Sequence, residues 1–290
     1  MKKAVGLKAD GFSRYRVDLS YEGTDFAGWA KQPGLRTVQS ELVKGLEGIF
    51  GKDNKDFAMR VAGRTDAGVH AEAQVIHIDL HEAQLKRLGR SLNTVAKLNS
   101  LLPRDIRIKS FGLAPAGFDA RFSASFRRYR YRIADPVSGW NPLYGRTQLW
   151  VNYELDLDRM RQAGQYLLGM HDFAAFSKPR AKATAIRELK VLKISRNKQF
   201  GNIVEIELVA DAFAHNMVRS IVGALIKVGG SKAEPKDVAK ALKSKSRTHG
   251  FKVVGPQGLA LIEIGYPANK ELANQAEKAR KLRTLDDLEF

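Results

Sequence analysis

From Tyr15, polar and apolar positions alternate in "YRVDLSYEG", which predicts a strand, and "TVQSELVKGLEGIF" then places Val38, Leu42, Leu46, Ile49 and Phe50 on one helical stripe. "FAMRVAG" and "QVIHIDL" are expected as two further strands, joined by a loop that carries Asp66. The spacing of Leu85, Leu88, Leu92 and Val95 predicts another helix, which "LLPRD" ends ahead of a strand at "IRIKSFGL". The first half therefore follows the order β-α-β-loop-β-α-β.

The second half is a loose echo of the first. "FRRYRYRI" alternates as a strand, and "LDRMRQAGQYLLG" spaces Leu157, Met160, Ala163 and Leu167 as a helix. "AIRELKVLKIS" and "NIVEIELVA" are expected as strands flanking "RNKQFGN", which has the composition of a hairpin turn. A largely apolar helix, "HNMVRSIVGALIKVG", comes next, then a smaller one near Pro235 and a closing strand, "LALIEIG". This order predicts an α+β fold of two ferredoxin-like halves, with mixed or antiparallel sheet and a central cleft. The expected division is 1–120, 121–268 and a charged ending, 269–290, whose weak periodicity suits a surface helix or tail more than core.

Length and composition narrow the partners. A chain of 290 residues with 44% hydrophobic and 28% charged residues can bury a sizeable core. The 49 Lys and Arg exceed the 31 Asp and Glu by 18, an excess that attracts a polyanion. An anionic membrane surface would call for a long apolar span or a basic amphipathic helix, and the sequence has neither, so nucleic acid is favoured. The absence of cysteine excludes disulfides, thiolate nucleophiles and cysteine-ligated zinc. The six histidines form no HxH or HxxxH pair, and no GxxxxGK[ST] loop is present, so neither a metal nor a nucleotide cofactor is expected. "MKKAVGLKADGF" lacks the apolar run of a signal peptide, which predicts a cytoplasmic protein.

Three stretches can carry chemistry. "VAGRTDAGVHA" sets Asp66 among small residues, with Arg64 two positions before it and His70 four after. Asp-x-Gly is also an ordinary turn signature, in which the carboxylate bonds nearby backbone N–H groups. Arg219 stands in "MVRSIVGALI"; it either snorkels to the surface or is buried with an anionic partner, for which Asp66 is suitable, and Gly223 leaves room for something to approach. In "RFSASFRRYRYR" five arginines interleave with aromatics, and strand alternation puts Tyr129, Tyr131 and Ile133 on one side and Arg128, Arg130 and Arg132 on the other. That strand suits base faces and phosphates, and equally suits a solvated charged face over an aromatic core.

Five stretches in order, "YEGTDFAGW", "GRTDAGVHA", "FDARFSASFRRYRYRI", "GMHDFAAF" and "FAHNMVRSIVG", resemble the motifs of the TruA family of tRNA pseudouridine synthases. The resemblance runs from about Tyr15 to Tyr266 and departs at Ala30, where the family has glutamine after the tryptophan. It implies the pseudouridine synthase fold and isomerisation of uridine in the tRNA anticodon stem-loop, around positions 38 to 40, by a cytoplasmic homodimer without cofactor or metal. It further implies Asp66 as the catalytic aspartate, Arg219 as its partner and Tyr129 against the target base; Arg64, two positions before Asp66, is expected as a substrate-binding residue. The rival expectations are a non-catalytic structured-RNA-binding protein, which shares the charge and the aromatic strand, and a nucleoside glycosidase, which typically needs two carboxylates flanking the bond.

Overall fold

The computed structural model describes residues 11–52, 54–88, 93–180, 184–247, 250–281 and 283–284. They form an α+β protein of two compact units. The first comprises the described residues of Met1–Ser125 with Leu261–Arg280, and the second those of Phe126–Ala260 with Lys281–Phe290.

In the first unit, β1 (Phe12–Tyr21), β2 (Arg60–Val61), β3 (His70–His81) and β4 (Ile106–Leu113) form an antiparallel sheet in which β1 lies between β3 and β4 and β2 pairs with β3. Helix α1 (Val38–Phe50) starts at Thr37, whose hydroxyl accepts from the Ser40 N–H, and it buries Val38, Leu42, Leu46 and Phe50. The run Val75–Leu80 in β3 is buried throughout, as the sequence of a strand covered on both faces requires. The one helix expected across Leu85 to Val95 is instead two short ones, α2 (Glu82–Lys86) and α3 (Thr94–Leu101). Asn93 begins the second by accepting from the Ala96 N–H, and the interior anchor of α3 is Leu98; Leu92 lies outside the described residues.

In the second unit the strand order is β5 (Phe126–Ala134), β9 (Ile203–Ala210), β8 (Ile186–Asn197) and β7 (Gly169–Asp172), all antiparallel, with β6 (Leu149–Trp150) running parallel to β5. The hairpin between β8 and β9 closes through left-handed Gly201 and Asn202, and the Asn202 N–H donates to the Asn197 carbonyl at 2.9 Å. Helices α4 (Leu157–Gln165), α5 (Met217–Gly229) and α6 (Pro235–Ser244) complete this unit. Nearly all of α5 is buried, as its apolar sequence predicts.

Strand β10 (Leu259–Gly265) returns the chain to the first unit, where the Ser125 N–H donates to the Gly265 carbonyl at 2.9 Å. The charged ending then forms α7 (Leu272–Arg280). Its Leu272 joins a core cluster with Ala62, Val75, Phe118 and Ala120, and Ala276 is buried beside it. The segment 261–280, divided at 268/269 on sequence grounds, thus belongs as one piece to the first compact unit.

Candidate active site

The Asp66 loop joins β2 to β3 in the first unit and is held from the facing stretch 21–29. Trp29 donates its N–H to the Thr65 carbonyl at 3.0 Å, and Gly68 donates its N–H to the Phe26 carbonyl at 3.2 Å. The Asp-x-Gly turn closes where the Val69 N–H donates to the Asp66 carbonyl at 3.2 Å, with Gly68 left-handed at φ +76°. The two backbones are close enough to demand glycine on the facing side. A Cβ on Gly23 would lie 2.0 Å from the Val69 carbonyl oxygen, and one on Gly28, at φ +95°, would meet Thr65, Asp66 and Ala67 main-chain atoms at 3.0–3.2 Å. Gly23 also donates its N–H to His70 Nδ1 at 2.9 Å. Asp66 itself is half-buried and Arg64 is exposed.

Beneath the loop lies a polar group that the sequence reading did not single out. Tyr21 Oη and Thr65 Oγ1 are 2.7 Å apart, and the Gln74 Nε2 donates both to Tyr21 Oη at 3.1 Å and to the Gly63 carbonyl at 2.8 Å. All three side-chain owners are buried, Gln74 completely. Burial raises the Tyr21 phenol to about 12, against the opposing pull of its hydrogen bonds to Thr65 and Gln74. The legible signal was a glutamine heading the apolar run "QVIHIDL", where a fully buried amide must find partners.

In the second unit, β5 alternates as expected. Tyr129, Tyr131 and Ile133 are buried, and the Tyr129 ring meets Phe213 edge-on at 5.1 Å between centroids. On the opposite face the arginines lie against carboxylates of the neighbouring strand. Glu205 and Glu207 on β9 stand across from Arg132 and Arg130. Arg132 reaches Glu205 at 2.8 Å, Arg130 reaches the same carboxylate at 3.7 Å, and Arg128 reaches Glu207 at 3.5 Å. Cross-strand carboxylates that a single strand's sequence cannot display account for this ladder.

Arg219 lies in the first turn of α5 and is half-buried. Its Nε donates to the Val254 carbonyl at 2.8 Å, and the Val254 N–H returns a 3.4 Å bond to the Arg219 carbonyl. What approaches Gly223 is the same segment, since a Cβ there would lie 1.9 Å from the Lys252 carbonyl oxygen. Tyr131 donates its hydroxyl to the Gly255 carbonyl at 2.6 Å; burial raises its phenol, and the Arg219 charge opposes that rise. Asp66 and Arg64 are thus described in the first unit, and Tyr129 and Arg219 in the second.

A family model described as tRNA pseudouridine synthase matches residues 163–267, a span that includes Arg219. The tRNA pseudouridine synthase A of Leifsonia xyli subsp. xyli is 43% identical over 288 residues, covering 95% of this chain and 99% of that protein. The chain belongs to the tRNA pseudouridine synthase A family. It is accordingly an isomerase. The relative from Streptomyces avermitilis is 46% identical over 281 residues, covering 95% of each chain, and that from Bifidobacterium longum is 39% identical over 302 residues, covering 94% of this chain and all of its own. Among the described residues, no helix is long and apolar enough to cross a membrane.

Proposed function

We propose that this chain isomerises uridine to pseudouridine in the anticodon stem-loop of tRNA, around positions 38 to 40, with the Asp66 carboxylate as its catalytic group. The observation that carries this reading is the clamping of the Asp66 loop. Hydrogen bonds and sub-contact glycine approaches fix the main chain on both sides of a half-buried carboxylate, which is how a reacting group is held in one geometry.

The reaction breaks the N1–C1′ bond, turns the uracil, forms a C5–C1′ bond and moves the C5 proton, with no net redox change. It therefore needs an ionised carboxylate near sugar and base, adding at C1′ or C6 or removing the C2′ proton, and no nicotinamide, metal or nucleoside triphosphate. Arg219 serves as the cationic partner of the Asp66 carboxylate. Tyr129 stacks on the flipped uracil, and its hydroxyl assists removal of the C5 proton. Arg64, exposed in the same loop, contacts the substrate. The enzyme works in the cytoplasm as a homodimer. The excess of 18 positive charges supports an RNA partner, with phosphate contacts falling to lysines and arginines other than the paired row on β5.

The experiment is incubation with tRNA lacking this modification, followed by mapping of pseudouridine. Conversion around positions 38 to 40 is the expected result. Release of free uracil would favour a glycosidase, and tight binding with no conversion would favour a non-catalytic RNA-binding protein.

A further inference from the structure

We infer that Gln74 and Tyr21 are positioning residues for the isomerisation, acting on Asp66 through the buried chain Gln74–Tyr21–Thr65. This inference rests on Asp66 being the catalytic carboxylate.

The orientation of the Gln74 amide is fixed by two backbone groups of opposite kind. Its oxygen accepts from the Val75 N–H at 3.2 Å, and its nitrogen faces the Gly63 carbonyl at 2.8 Å, so the flipped amide would lose both bonds. The second amide hydrogen goes to Tyr21 Oη. The same oxygen shares a hydrogen bond with Thr65 Oγ1 across 2.7 Å, in which either hydroxyl can donate. One glutamine thereby ties down Gly63 directly and Thr65 through the tyrosine, gripping the chain three residues and one residue ahead of the catalytic group.

The backbone is shaped for this. The register of β1 on β3 slips between Leu19 and Tyr21, so Leu19 stands opposite Gln74 whereas Tyr21 stands opposite Ala71. Such an irregularity re-aims a side chain, here the tyrosine whose hydroxyl meets Thr65. A purely apolar plug would fill the same space without the hydrogen bonds, and a displacement of the loop by about an ångström is enough to cost about 100-fold in rate.

The test uses the intact protein and unmodified tRNA, measuring the single-turnover rate at saturating enzyme, the tRNA Kd and the melting temperature. Tyr21→Phe and Gln74→Met are expected to slow turnover by about 10- to 100-fold with Kd within about 2-fold of the parent. Thr65→Val should fall likewise, and Thr65→Ser, which restores the hydroxyl, should recover most of the lost rate. Parental rates in folded Tyr21→Phe and Gln74→Met alongside an inactive Asp66→Asn would overturn the inference alone. An active Asp66→Asn would overturn both it and the assignment of Asp66. Losses of rate, affinity and melting temperature in the same proportion, without recovery in Thr65→Ser, would also overturn it, because the network would then serve only to hold the unit together.

Discussion

Between β2 and β3, the ties fall on the chain around a carboxylate: the Gly63 carbonyl, the Thr65 hydroxyl and carbonyl, and the Gly68 N–H are each engaged by buried groups of the same unit. On β5 the ties fall on the charges themselves, as Arg128, Arg130 and Arg132 meet Glu207 and Glu205 from the neighbouring strand. Both stretches carry charged side chains and both resemble family motifs. They differ in the bonds that define them: around Asp66 buried groups hold the main chain of a loop, whereas on β5 carboxylates of the neighbouring strand meet a row of arginines.

The sharpest way to break this comparison is Asp66→Asn. The amide keeps the size and the turn but is a poor base and nucleophile, so turnover should fall by about 10³-fold or more. Affinity for tRNA should stay within a few-fold, since it comes from many phosphate contacts. Single-turnover rates and a filter-binding titration measure the two separately, and substantial residual turnover in a pure preparation would refute the catalytic role.

Arg219→Lys is expected to follow with a loss of about 10- to 100-fold in the single-turnover rate. Lysine keeps the charge but cannot both donate to Val254, as the Arg219 Nε does at 2.8 Å, and present a planar fork to a carboxylate. If Arg219 serves only to pin the 252–254 segment, the variant will lose melting temperature and keep its rate. That outcome would place it with the arginines of β5.

Periodicity made most of the framework legible: the strands at 106–113 and 259–265 fall at the residues their alternation marks, and α1 begins where Thr37 caps it. The misses share one physical cause, which is that the deciding partner is distant in the chain. Nothing within "FRRYRYRI" announces Glu205 and Glu207, and nothing within "KELANQAEKARKL" announces that Leu272 completes a cluster with Phe118. The two-residue strand β6 has no period to detect, and of the strand expected over "FAMRVAG" only Arg60–Val61 forms, after a short 3-10 turn at Lys55–Ala58. At the site, motif resemblance marked Asp66, Tyr129 and Arg219, and Arg64 was marked by its place beside Asp66. The groups that hold the loop, Tyr21 and Gln74, were hidden inside segments whose apolar pattern already explained them as strand.

A pH titration sharpens the comparison from the scaffold side. His77 is buried on β3 and accepts the Ala120 N–H at Nδ1, 2.9 Å away; burial first, and then the Arg14 charge, lower its pKa from 6.5 to about 4. Between those values the unfolded chain binds a proton that the native state refuses. Stability should therefore be level above pH 6.5 and fall as pH drops toward 4, by up to about 3 kcal/mol. His77→Asn, which retains an acceptor for Ala120, should flatten that fall in denaturant unfolding measured across the range. An unchanged pH profile in the variant would assign the acid sensitivity to other groups.

The smallest effect is expected at Arg128→Gln. Arg128 and Glu207 are each about one-third exposed and meet at 3.5 Å, so solvent screens the pair and its loss should cost only about 0–1 kcal/mol. The informative readout is the salt dependence of tRNA binding. An arginine that neutralises a phosphate contributes about 0.7–0.9 to the slope of log K against log salt, and removing it lowers the slope by that amount. Because Glu207 already matches Arg128, the variant should bind with the parental slope and an affinity within about 2-fold. A slope lowered by close to one phosphate would mean that the RNA draws Arg128 away from its carboxylate, and the arginine face of β5 would then belong to the binding surface after all.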